Sequence, residues 1–124
     1  MPVLPAPTAP VHEIEGARFR SLATPSRGAA ETAVWQVEIA PGTPATPHSL
    51  TREEIFHVVA GEAAVTLGGA EHAVAAGDTI VVPPDVAVAI ANPGAAPLRM
   101  LCVQPVGGQA RLADGTVFSP PWTV

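Results

Sequence analysis

Two side chains six residues apart, His48 and Glu54, are the pair in this sequence best suited to chemistry. An imidazole changes protonation near neutral pH, and a carboxyl taken out of water keeps its proton to higher pH. Together they can exchange protons with a bound organic molecule. Imidazole nitrogen and carboxylate oxygen also suit first-row divalent metals such as iron, manganese, nickel or zinc. On an extended chain alternate residues share a face, so His48, Leu50 and Glu54 point the same way, with Phe56 and Val58 following. A catalytic metal normally takes at least three protein ligands. His57 is the nearest further imidazole, but its odd position puts it on the opposite face unless a bulge intervenes. Any metal would therefore rest on His48 and Glu54.

Other polar residues carry weaker signals. His12 and His72 read as ordinary solvated or satisfied histidines. Glu53 faces outward, and Arg52 shares the inward parity at a loop end, where it can cover a barrel mouth or pair with Glu53. The lone Cys102 alternates with Met100 and Gln104 and reads as a small core hydrophobe, since nothing near it in sequence lowers a thiol pKa. The expected substrate pocket takes Leu50, Phe56 and Val58 from one segment. From others it takes Val88 and Ile90, Met100 and Cys102, and Gln36.

These residues must be positioned by strands. Fifteen prolines and eleven glycines break the 124 residues into short Val-, Ile-, Leu- and Ala-rich runs. Strands are expected at 11–15, 17–22, 33–40, 53–60, 63–68, 70–75, 79–83, 86–92 and 98–105. Residues 41–47, PGTPATP, are excluded from helix and central strand because proline lacks the backbone donor. In AVWQVEIA, Val34, Gln36 and Glu38 alternate with Trp35, Val37 and Ile39, and parity does not say which face is buried. Roughly eight to ten short strands with turns between them imply an all-β sandwich or closed barrel. The expected layout is a Pro-rich arm at 1–10, a barrel domain at 11–106, and a tail at 107–124 whose Trp122 docks on the barrel or a neighbour. Aromatics make up only 4%, so the core is expected to be filled by many small contacts.

At 42–61 the sequence resembles the first cupin motif, G-x5-H-x-H-x(3,4)-E-x6-G. Gly42, His48, Glu54 and Gly61 match, and Leu50 stands at the second His. At 77–92 it resembles the second motif, G-x5-P-x-G-x2-H-x3-N. Gly77, Pro83 and Asn92 match, while Asp85 replaces the Gly and Val88 the His. The resemblance implies a cupin-type β-barrel, or jelly roll, of the RmlC-like kind with a degenerate metal site. It also implies an apolar barrel interior holding His48 and Glu54. It leaves activity open, because cupins include dioxygenases, isomerases, epimerases, decarboxylases and binding proteins.

The expectation is a small cupin acting on a small organic molecule by acid–base isomerisation, epimerisation or cyclisation. The alternatives are a non-catalytic ligand-binding module and a metal-dependent, dioxygenase-like cupin with an altered ligand set. The six basic residues are scattered arginines and the net charge is −5, which disfavours nucleic acid. No apolar run is long enough to span a membrane. The single cysteine and the absence of a charged, apolar leader at the N-terminus give the expectation of a cytoplasmic protein. The Pro-rich arm and apolar strand faces give the expectation of a homodimer.

Overall fold

The computed structural model describes residues 2–124, so Met1, the first residue of the expected arm, lies outside the described residues. Twelve strands follow in order: β1 Val11–Ile14, β2 Ala17–Ala23, β3 Thr32–Ile39, β4 His48–Leu50, β5 Glu54–Ala60 and β6 Glu62–Leu67. The second half contains β7 Ala70–Ala75, β8 Thr79–Val82, β9 Val88–Ala91, β10 Leu98–Pro105, β11 Ala110–Leu112 and β12 Val117–Phe118. They form two antiparallel six-stranded sheets. The first is ordered β1-β2-β3-β10-β5-β8 and the second β12-β11-β4-β9-β6-β7. This is an all-β jelly roll, the form the motif resemblance implied within the sandwich or barrel expected from turn spacing.

Strand alternation builds the interior. Along β10, Leu98, Met100, Cys102 and Gln104 are buried and the residues between them are not. Ala33, Trp35 and Val37 of β3 and Glu54, Phe56 and Val58 of β5 face the same way. Gln36 therefore lies on the outer face and is exposed, which corrects its expected place in the pocket. The physical reason is that the opposite face of β3 carries Trp35, Val37 and Ile39, whose burial removes far more apolar area from water.

Two positions of the motif-like segments are now explained locally. Asp85 stands where the resemblance has glycine and adopts φ +65°, a left-handed conformation that Asp tolerates better than most residues. Its carboxylate accepts from Arg111 Nη1 at 3.0 Å. Asn92 is buried; its Nδ2 donates to Ile39 O and Ala96 O, both at 2.9 Å, and its Oδ1 accepts from Gly94 N. These bonds tie the end of β9 to the end of β3 and to the loop that follows β9, so Asn92 holds the end of the barrel rather than meeting a ligand.

The tail enters the second sheet itself, with β11 pairing to β4 along Ala110↔Leu50 and Leu112↔His48. A 3-10 turn at Pro121–Thr123 then lays Trp122 on Phe19, ring centroids 3.6 Å apart and planes 7° from parallel. The arm contains a 3-10 turn at Ala6–Thr8 and folds on its own chain. Ala9 is buried and Arg27 Nη1 donates to Thr8 O at 2.7 Å. No helix among the described residues is long and apolar enough to cross a membrane.

Candidate functional site

Between the sheets lies a cavity of about 410 Å3. Seven of the expected site residues line it: His48, Leu50, Glu54, Phe56, Ile90, Met100 and Cys102. Val58 and Val88 are fully buried in the core without lining the cavity.

Glu54 begins β5, pairs in register with Val82 of β8, and is 4% exposed. None of the described residues donates a hydrogen bond to its carboxyl, so nothing offsets the loss of water around the charged form. Burial accordingly raises its pKa from 4.5 to about 8, and at neutral pH it is mostly a neutral acid. Burial likewise pushes the Cys102 thiol well up, and the nearby Glu54 charge adds to this, so Cys102 is an inert thiol in the wall.

His48 begins β4 and sits opposite Val88 of β9. Its Nδ1 lies 2.9 Å from Thr46 O. A carbonyl only accepts, so Nδ1 carries the proton, and in the neutral ring Nε2 is left with a free lone pair. The same proline-rich loop that breaks the strand pattern thus supplies the acceptor that fixes the tautomer. His48 and Glu54 line one cavity but share no ion pair or hydrogen bond. Each presents its polar atoms separately.

The family-type metal site does not fit these residues. No group of three or more His, Cys, Asp or Glu side chains that could hold a metal is present among the described residues. Leu50 and Val88 are buried where further imidazoles would be needed. His57 is exposed on the outer face, its Nδ1 2.9 Å from Thr79 Oγ1. His72 is exposed on β7, and His12 of β1 sits opposite Phe19 with a buried Nδ1 that has no partner among the described residues.

Sequence reasoning missed much of the wall. Trp35 and Val37 replace Gln36 in it, and the apolar face of AVWQVEIA was the available signal. Gln104 also lines the cavity, buried, with Nε2 donating to Gly108 O at 3.2 Å. Phe19, Phe118 and Trp122 come from β2, β12 and the final turn. The few aromatics are thus concentrated at one place, while the rest of the core is filled by small aliphatic side chains.

Comparison with known proteins agrees with the fold. The polyketide cyclase RemF of Streptomyces resistomycificus superposes with a TM-score of 0.76 at 20% identity, over 91% of this chain and 85% of that one. KdgF of a Halomonas species superposes with a TM-score of 0.71 at 20% identity, over 85% of this chain and 94% of that one. An uncharacterised protein of Methanocaldococcus jannaschii is 40% identical over 52 residues, 42% of each protein, so the chain spans less than half the length of that relative. The family model for the cupin domain matches residues 35–104, from the cavity-lining Trp35 to the cavity-lining Gln104, and the chain belongs to the cupin family.

Proposed function

We propose that this cupin is an enzyme that relocates protons on a small, neutral organic molecule, as in isomerisation, epimerisation or cyclisation. His48 is the base and Glu54 the acid. One observation carries the reading: a buried carboxyl without a protein hydrogen-bond donor lines the same apolar cavity as an imidazole whose Nδ1 is held by the Thr46 carbonyl. In such a step, Nε2 of His48 takes a proton from a carbon beside a carbonyl. The Glu54 hydroxyl gives its proton to the carbonyl oxygen, and an enol forms. Return of the two protons to different positions gives the isomer. Attack of the enol carbon on a second carbonyl would instead close a ring. The low-polarity surroundings strengthen both interactions by excluding water. The fold shared with a polyketide cyclase is compatible with such chemistry without specifying it.

His48→Ala and Glu54→Gln test the proposal on any molecule found to turn over. Each is expected to lower kcat by about 100-fold or more, with binding changed only a few-fold. Unchanged turnover in both would falsify the assignment. We further infer that the chain acts as a homodimer joined through the outer face of the first sheet.

A further inference from the structure

The chain contains three Phe, two Trp and no Tyr, and all five rings line the one cavity. They come from β2, β3, β5, β12 and the C-terminal turn, so no local sequence pattern groups them. Elsewhere the core is built from Val, Leu, Ile and Ala. Rings are therefore not used as general filler in this molecule; each is spent at the cavity wall. Phe19 and Trp122 are already stacked on each other there. The charges are equally selective. Glu15 and Glu54 are among the lining residues, while none of the six arginines is and the chain has no lysine. A carboxylate or phosphate on the ligand would lose its water with no arginine or lysine to replace it.

We propose that the cavity accepts an uncharged, planar aromatic molecule of two or three fused rings, carrying a hydroxyl or carbonyl that meets Glu54. The cavity volume of about 410 Å3 lies within the range of pockets that enclose small organic ligands. Aromatic walls favour flat rings through offset and edge-to-face contacts that a saturated ring of the same size cannot make. This deepens the acid–base reading by naming its substrate class. The selectivity for flat, neutral rings stands on the wall alone.

The test uses the unaltered chain and three probes: 2-naphthol, its saturated counterpart decahydro-2-naphthol, and the charged 2-naphthoate. Binding is measured by calorimetry up to millimolar concentration. The expected result is that 2-naphthol binds at least ten-fold more tightly than either other probe. Phe19→Leu and Trp122→Leu are expected each to weaken it several-fold, and the outer-face change Val59→Ser to leave it unchanged. Equal or tighter binding of the saturated or the charged probe overturns the proposal, as does no binding of any of the three. The two readings fail separately. Retained selectivity with turnover indifferent to His48→Ala and Glu54→Gln removes only the acid–base assignment. Lost turnover in those variants without ring selectivity removes only the substrate class.

Discussion

At the scale of single residues, Glu54 sets the pH behaviour. Its carboxyl is charged in the unfolded chain above about pH 4.5 and remains neutral in the barrel up to about pH 8. Across that window the unfolded state binds fewer protons than the folded state, so stability falls as pH rises. Below the window the group imposes no penalty, and above it the penalty is complete. At about 1.4 kcal/mol per pH unit, the raised pKa corresponds to a destabilisation on the order of 4–5 kcal/mol. Glu54→Gln never ionises. It should come within about 1 kcal/mol of the parent in chemical denaturation at pH 5 and exceed its stability by several kcal/mol at pH 9. A stability gap that stays constant between those pH values would mean that Glu54 is not buried uncompensated. Activity should decline above about pH 8 for the same reason, as the acid loses its proton.

At the scale of elements, the tail is part of the site. β12 and the final turn supply Phe118, Pro120, Trp122 and Thr123 to the cavity wall. The turn is held by Ser21 Oγ donating to Trp122 O at 2.9 Å, and Ser26 Oγ donates to Val124 O at the same distance. Ser21 is buried on β2, so Ser21→Ala leaves the Trp122 carbonyl without this donor and should lower stability by about 1 kcal/mol. It should also speed proteolysis of residues 119–124 and weaken ligand binding, whereas Ser26→Ala, at the exposed end, should do less on every count. An unaltered cleavage rate in Ser21→Ala would show that the stack on Phe19 alone fixes the tail.

These elements also show what the sequence could disclose. Proline and glycine turns marked nearly every strand of the barrel because they act locally. Parity placed His48 and Glu54 on one face, but it does not carry across residues 51–53: the two lie on β4 and β5 of opposite sheets, and they share a cavity because those sheets face each other. β4 escaped notice because three residues after a proline-rich loop carry no periodic pattern, and its strand character comes from pairing with β9 and β11. The gathering of five rings is a product of topology, which brings together positions as far apart as 19 and 122. Gln36 was misplaced where two alternating faces were weighed without using apolar area to choose between them.

For the whole molecule, the outer face of the first sheet remains to be accounted for. Ladder pairing sets Val34 beside Val103, Val103 beside Ile55, and Ile55 beside Val81. These four apolar residues make a continuous row across β3, β10, β5 and β8 on the side away from the cavity. Val81 is 50% exposed, and Val59 on the same face is 53% exposed. Contiguous apolar surface of this kind is uncommon on a monomer, and a twofold axis through the face would cover it with its own copy. The arm takes no necessary part, since it already packs on its own chain. Light scattering at micromolar concentration should give about twice the 12.6 kDa chain mass. Val81→Lys should shift the mass to that of one chain, because two lysines would be brought near the axis with no counter-charge among Val34, Val103 and Ile55. Its cavity lies on the other side of the sheet, so probe binding should survive the change. Particles of single-chain mass in the unaltered protein would remove the dimer while leaving the site untouched.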